Sequence, residues 1–162
     1  MRRDIVVLRH AKSDWPRGVP DDERPLAERG RRDAPAAGTW LREHVPAPDL
    51  VLCSTALRTR QTWELVESEL DGDPPVSHVP ALYGASAADL IDTVCALPSG
   101  AHTVLLIGHN PGLEEFVTVL SGSPCVLKTA SIAVLRGEGD WRDAGSGWAR
   151  LAGTAKPRGK AR

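Results

Sequence analysis

The sequence of 162 residues has only three cysteines, and nothing in their spacing pairs them. Cys53, Cys95 and Cys125 are odd in number and lie in apolar stretches, which excludes a disulfide scaffold and predicts reduced thiols in the core. Three histidines lie in amphipathic or connecting segments without ligand spacing, so no zinc site with these cysteines is predicted. They are His44, His78 and His102.

Long apolar runs are also missing. The apolar stretch 5–8 follows Arg2 and Arg3 as in an export signal, but it ends at Arg9 and is far too short to be one. No other stretch approaches the roughly 20 residues that a helix needs to cross a bilayer. These absences predict a cytoplasmic protein without a membrane partner.

Neither sign of charge is in excess, since 20 lysines and arginines stand against 21 aspartates and glutamates, for a formal net charge of -1. Nucleic-acid-binding proteins usually carry a basic face, so no nucleic-acid partner is predicted and any phosphate site must be local. The C-terminal segment 155–162 is predicted to be a flexible basic tail. Such a terminus is usually solvated, although it could attract an acidic partner. Its cations are Lys156, Arg158, Lys160 and Arg162.

The chain does contain apolar segments that alternate with amphipathic ones, without internal repeats or a domain-scale linker. This alternation is typical of an α/β fold in which helices cover a largely parallel sheet. Residues 1–154 are predicted to form one domain. Strands are predicted over 4–8, 50–53, 76–79, 103–107, 132–136 and 148–151, the last two antiparallel, and helices over 26–45, 56–70, 86–97 and 110–122.

Several local signals refine this pattern. Pro35 predicts a kink or a break in the first helix. Ser54 is expected either to cap the second helix or to touch phosphate, with Thr55 as the other candidate cap, and Ser86 is expected to cap the third. The segment 11–25 is too long for a simple connector and is therefore a candidate functional loop.

Polar residues follow three of the predicted strands. Arg9 and His10 close the first strand, Arg58 follows the second, and His109 follows the strand 103–107. Ligands of doubly wound sheets bind beyond the carboxyl ends of the strands. Two arginines and two histidines are therefore expected at one edge of the sheet.

This set suits phosphoryl transfer, in which catalysis depends on positioning the group and neutralising its charge. The guanidinium groups of Arg9 and Arg58 can each bind phosphate oxygens through two hydrogen bonds, although Arg60 could replace Arg58 in this role. His10 is predicted to be the nucleophile, as a neutral imidazole whose other ring nitrogen is held by a backbone carbonyl. His109 is expected to donate a hydrogen bond to the phosphoryl oxygens.

The motifs that carry these residues resemble those of the histidine phosphatase superfamily, also called phosphoglycerate-mutase-like. The motifs are LRH at 8–10, STALRTRQT at 54–62 and GHNPGL at 108–113. The small size of the chain, AKS at 11–13, LY at 82–83 and AS at 85–86 resemble the SixA-type phosphohistidine phosphatase branch.

The resemblance implies a three-layer α/β/α sandwich with a mostly parallel central sheet. It also implies a covalent phosphohistidine intermediate on His10, and it selects Arg58 over Arg60 for a phosphate pocket that is completed by Arg9 and His109. No metal or organic cofactor is implied. The expected partner is a phosphorylated protein or a small phosphorylated substrate.

Two departures from the wider superfamily bear on the substrate. Ala11 follows His10 where many members have glycine, and the segment 83–85 has no carboxylate where many members have a proton donor. A phosphomonoester needs its leaving alkoxide protonated, whereas protonated imidazole leaves readily, so the missing acid favours phosphohistidine on a protein. Asp14 or Asp89 could still supply the acid, which would favour a phosphomonoesterase or mutase for a small metabolite.

A catalytically idle phosphate-binding module on the same fold is the alternative from another functional class. The presence of all four predicted pocket residues argues against it.

Overall fold

A computed structural model describes residues 1–161, over which six strands and four α-helices alternate. The strands are β1 (Arg2–Arg9), β2 (Leu50–Ser54), β3 (Val76–Val79), β4 (Thr103–Gly108), β5 (Ile132–Glu138) and β6 (Ala149–Ala155). The helices are α1 (Glu28–His44), α2 (Leu57–Glu67), α3 (Ala87–Cys95) and α4 (Gly112–Ser121). All six predicted strands and all four predicted helices are therefore confirmed, with shifted ends.

The strands form one mixed sheet in the order β3-β2-β4-β1-β5-β6. The pairs β3–β2, β2–β4 and β4–β1 are parallel, whereas β5 and β6 are antiparallel to their neighbours. β4 is buried along its whole length, which explains its continuous apolar sequence. The carboxyl ends of β1, β2 and β4 consequently lie at the same edge.

Helices cover both faces of this sheet. On one face, α3 and α4 contribute Leu90 and Phe116 to a core that also contains Trp141. On the other face, α1 and α2 contribute Leu41 and Trp63 to a second core. The three-layer α/β/α architecture is confirmed.

Helix α1 runs through Pro35 without a break, so of the two alternatives predicted there the break is wrong and the kink stays a prediction. Its buried face includes Gly30, Ala34 and Leu41. At Gly30 a Cβ atom would overlap the main-chain carbonyl of Lys12. Glycine therefore lets the loop that follows β1 lie directly against α1.

The C-terminal segment contacts α1. Ala155 still belongs to β6, and the Gly159 N–H donates to Oδ1 of Asp33 over 3.0 Å. The flexibility predicted for this tail stays a prediction, and its last residue, Arg162, lies outside the described residues.

The three cysteines are free thiols, but only Cys53 is fully buried. Burial raises the pKa of its thiol to about 12. Within residues 1–161, no helix combines the length and the apolar character that crossing a bilayer requires.

Candidate active site

Neighbouring strands bring the two predicted histidines together. In the parallel β1–β4 pair Arg9 is in register with Gly108, so His10 and His109 leave the sheet side by side. The main-chain N–H of His10 donates to the Gly108 carbonyl over 3.1 Å, and the two ring centroids lie 5.3 Å apart. The sheet topology accounts for this proximity.

The His10 ring is held by the next residue of its own chain. Its side chain is buried, and Nδ1 lies 2.8 Å from the carbonyl oxygen of Ala11. A carbonyl only accepts hydrogen bonds, so Nδ1 carries the proton and Nε2 keeps its lone pair. Burial lowers the pKa of His10 to about 3, with the positive Arg58 and Arg9 among the smaller causes. The imidazole is therefore neutral near pH 7, the form that a nucleophile requires.

Arg9 is anchored through one end of its guanidinium group. Nη1 donates to the carbonyl of Leu127 over 3.0 Å, while its buried Nε has no hydrogen-bond partner among the described residues. Leu127 is itself fixed, because Glu114 Oε2 accepts its N–H over 2.7 Å and Asn110 Nδ2 donates to its carbonyl over 2.8 Å. Burial lowers the pKa of Arg9. Asn110 thus supports the pocket through the loop that anchors Arg9.

Arg58 lies in the first turn of α2, where its side chain is almost fully buried. Nη1 donates to the main-chain carbonyl of Asp21 over 2.6 Å, and Nη2 donates to its Oδ2 over 3.0 Å. The Nε atom is buried without a partner in the described part of the chain. Arg60 is exposed and forms no such contact within residues 1–161.

The carboxylate of Asp21 joins three side chains at this edge. Besides Arg58, it accepts hydrogen bonds from the hydroxyl of Tyr83 and from Arg24 Nε, the latter over 3.1 Å. The Tyr83 hydroxyl, followed by the Arg58 and Arg24 guanidiniums, holds the pKa of Asp21 well below its usual range. Asp21 is consequently ionised at neutral pH and has no proton to donate.

The His109 ring is positioned by Ser54 and Tyr83. Nε2 lies 2.8 Å from Ser54 Oγ, and the Tyr83 ring stands at 89° to the imidazole with 5.6 Å between centroids. Its buried Nδ1 has no partner over the described chain, and burial together with the Arg58 charge lowers its pKa to about 4. Ser54 is not the helix cap: α2 starts after Ala56 without any side-chain cap. The Ser54 hydroxyl contacts His109 instead of capping the helix.

The sequence leaves Asp14 and Asp89 as possible acids. Within residues 1–161, neither carboxylate forms a hydrogen bond with the side chains described above. Ser86 caps α3 as predicted, and the Asp89 carboxylate completes a capping box by accepting the Ser86 N–H over 3.0 Å. Asp14 contacts the loop through its main chain, with its carbonyl accepting from Arg24 over 3.1 Å. Among residues 1–161, no three His, Cys, Asp or Glu side chains gather as a metal site would need.

Three buried nitrogens at this edge therefore lack partners, namely Nε of Arg9, Nε of Arg58 and Nδ1 of His109. An unpaired buried polar group costs about 1–3 kcal/mol, and more when it is charged. All three side chains interact electrostatically with His10, and such a set of unpaired nitrogens suits a bound oxyanion.

Comparison with known proteins agrees with this geometry. Residues 5–110 match the model of the histidine phosphatase superfamily, branch 1. The chain belongs to this superfamily. It is a phosphatase by family, and all four residues predicted for the pocket lie inside the matched range.

Several relatives resemble this histidine phosphatase over nearly their whole length. An uncharacterized protein of Mycobacterium tuberculosis is 41% identical over 162 residues, which cover 93% of this chain and 100% of that protein. A structure from Nakamurella multipartitia, assigned to phosphohistidine phosphatase SixA, is 35% identical, with a TM-score of 0.84 and 97% of both chains covered. The protein histidine phosphatase SixA in complex with tungstate is 25% identical, with a TM-score of 0.77 and coverage of 91% of this chain and 96% of that one.

Sequence reasoning missed three residues of the candidate site of this histidine phosphatase. Asp21 and Arg24 come from the long loop after β1, and Tyr83 follows a short 3-10 helix. The length of the loop made it a candidate functional segment. The acidic residue that contacts Arg58 is decided by how this loop crosses the edge of the sheet. No local sequence pattern specifies that path.

Proposed function

We propose that the chain hydrolyses phosphohistidine on a protein through a covalent phosphohistidine on its own His10. The observation that carries this proposal is the Nδ1 contact with the Ala11 carbonyl, which leaves Nε2 of a neutral, buried imidazole as the free ring nitrogen. Nucleophilic histidine catalysis needs that tautomer. The family and its SixA relatives support the same chemistry.

In the first step, Nε2 of His10 attacks phosphorus while the bond from phosphorus to the substrate imidazole nitrogen breaks. Arg9, Arg58 and His109 bind the phosphoryl oxygens through the nitrogens that are otherwise unpaired. Their role is to hold the group in line and to neutralise charge on its equatorial oxygens. The other ring nitrogen of the substrate imidazole already carries a proton when the bond breaks, so the group leaves as neutral imidazole and no strong base is released.

In the second step, water attacks the phosphorus atom on His10. The bond from phosphorus to Nε2 breaks, inorganic phosphate leaves and the neutral imidazole is restored. The Ala11 carbonyl holds the Nδ1 proton in both steps, so the ring returns in the same tautomer.

The choice of a phosphohistidine substrate depends on the absence of a proton donor. Asp21 is the carboxylate that contacts Arg58, and its three hydrogen bonds keep it ionised. A phosphomonoester would therefore lose the ~10²–10⁴-fold assistance that general acid catalysis typically provides. A phosphoramidate loses much less, which favours phosphohistidine over a sugar phosphate.

The test compares hydrolysis of a phosphohistidine-bearing protein with that of a panel of phosphomonoesters, with His10→Ala as the inactive control. We expect faster turnover of phosphohistidine and acid-labile phosphate on wild-type His10 after brief labelling. Faster turnover of the monoesters would favour a small phosphorylated metabolite as substrate. The absence of labelled His10 together with tight phosphate binding would indicate an idle binding module. A cytoplasmic location stays a prediction.

A further inference from the structure

An open cleft of about 540 Å³ lies beside the phosphate pocket, and its lining is almost entirely cationic. Arg9 belongs to both, so the cleft begins where the pocket ends. The remaining walls come from the loop after β1, from α1, from the loop before β5 and from the C-terminal segment. The lining residues are Arg9, Lys12, Arg29, Lys128, Thr129, Lys156 and Arg158.

The positive charge of this cleft is largely uncompensated. Over residues 1–161, no carboxylate lies within ion-pair distance of Lys12, Lys128 or Lys156. Six of the 20 cations of a chain with a net charge of -1 therefore line one concave surface. Like charges that share a concave wall attract anions strongly, because the low-dielectric surroundings focus their field.

One buried carboxylate contacts two of the arginines that line this cleft. Asp33 on α1 is only 1% exposed, and it lies 3.4 Å from Arg29 Nε and 3.8 Å from Arg158 Nη1. Its Oδ1 also accepts the Gly159 N–H, and a Cβ atom at Gly159 would overlap the main chain of Arg32. The C-terminal segment thus packs against α1 with Lys156 and Arg158 at the cleft.

We propose that this cleft binds an acidic segment of the protein substrate, close to the phosphorylated histidine. The inference rests on the proposed function, because the phosphoryl group must reach Arg9 from a polypeptide that continues along the surface. Three of the cations are lysines, whose ammonium groups pair with carboxylates in many orientations. The cleft would thereby select phosphohistidines that are flanked by aspartate and glutamate.

The composition of the lining favours an acidic polypeptide over a nucleic acid. Proteins that bind single strands combine a basic groove with aromatic side chains on which the bases stack. Among residues 1–161, no aromatic side chain lines this cleft. A small polyphosphate would be better matched by a closed set of arginines than by lysines spread over three segments around an open cleft.

The binding test uses a fluorescein-labelled oligoglutamate peptide without any phosphoryl group, read by fluorescence anisotropy. The test variant is Lys128→Glu/Lys156→Glu, and the matched control is Arg142→Glu/Arg150→Glu, which changes the charge equally at exposed sites outside the cleft. We expect the test variant to bind about tenfold or more weakly, because each reversal replaces an attraction with a repulsion. The control should bind like the wild type, and added salt should weaken wild-type binding.

Equal binding by the wild type and the Lys128→Glu/Lys156→Glu variant would overturn the proposal, as would equal losses in both double variants. Stronger binding of inorganic triphosphate or of a single-stranded oligonucleotide than of oligoglutamate would also overturn it. Thermal melts establish that each variant is folded.

A kinetic test separates this proposal from the proposed function. The Lys128→Glu/Lys156→Glu variant should raise KM for an acidic phosphohistidine protein while leaving hydrolysis of free phosphohistidine unchanged. If the variant hydrolyses the acidic phosphohistidine protein and free phosphohistidine more slowly to the same extent, a docking role for the cleft is contradicted. If the wild type binds oligoglutamate in the cleft but hydrolyses no phosphohistidine, the proposed function fails while the acidic-segment site stands.

Discussion

Asp21 holds Arg58 by two separate contacts, since its main-chain carbonyl lies 2.6 Å from Nη1 and its Oδ2 lies 3.0 Å from Nη2. Both terminal nitrogens of the guanidinium group are therefore turned toward the loop after β1. Nε is left as the nitrogen without a protein partner within residues 1–161. Asp21 is in this way a positioning residue, which orients a cation of the proposed phosphate pocket rather than moving a proton.

Replacing Asp21 with asparagine should test this role. Asp21→Asn keeps the main-chain contact but removes the charge, so Arg58 should lose its fixed orientation. We expect kcat/KM to fall about tenfold to a hundredfold, the equivalent of the ~1.5–3 kcal/mol that hydrogen bonds to charged groups contribute. Steady-state kinetics with Asp22→Asn as the exposed neighbouring control would measure the effect. Equal losses in both variants would point to a general disturbance of the loop.

The two arginines of α2 give a second prediction, because one is buried in the site and the other is exposed. Arg58→Lys keeps the charge but loses the planar fork that meets Asp21 and a phosphoryl oxygen together. We expect kcat/KM to fall by about a hundredfold or more, comparable to the loss of a charge-stabilising donor in other active sites. Arg60→Lys should be indistinguishable from wild type. A larger loss in Arg60→Lys would reverse the assignment of these residues.

The fold could be predicted because its main signals are local. The apolar run of β4 and the helical spacing of α4 each follow from which faces are buried. The ends of β1 and β5 extend further than predicted because Arg2 pairs with Glu138 across the sheet. That pairing is a tertiary contact between polar residues, which hydrophobic periodicity does not detect.

The candidate site could likewise be predicted only in part from the sequence. His10 and His109 could be predicted to meet because each directly follows a strand in a parallel sheet. Ser54 was expected either to cap α2 or to contact phosphate, yet in the structure it pairs with His109. The choice among such roles depends on the direction of a single hydroxyl and on the packing around it, which spacing along the chain does not specify.

Ser54 leads to a third prediction. Ser54→Ala should free the His109 ring by removing the 2.8 Å contact at Nε2, and we expect kcat to fall several-fold, in line with the ~0.5–1.5 kcal/mol of a typical hydrogen bond. KM should change less, because Arg9 and Arg58 still bind the phosphoryl group. Thr55→Ala at the next position is the matched control. If thermal stability falls while kcat is unaffected, the serine is only structural.

The buried imidazoles lead to a prediction about pH and stability. Burial lowers the pKa of His10 to about 3 and that of His109 to about 4, from an ordinary value of 6.5. Below pH 6.5 the unfolded chain therefore takes up protons that the native protein does not bind. The free energy of unfolding should accordingly fall as pH decreases from 6.5 toward these lowered values.

Each such histidine contributes a slope of at most about 1.4 kcal/mol per pH unit within that window. Removing one of them with His10→Gln should reduce the slope, because the glutamine titrates in neither state. Urea unfolding at a series of pH values between about 7 and about 5 measures it, with His102→Gln as a control for loss of an exposed imidazole. If His10→Gln keeps the full wild-type slope, His10 takes up a proton over the same pH range in the native and the unfolded protein, which would contradict the lowered pKa of this histidine.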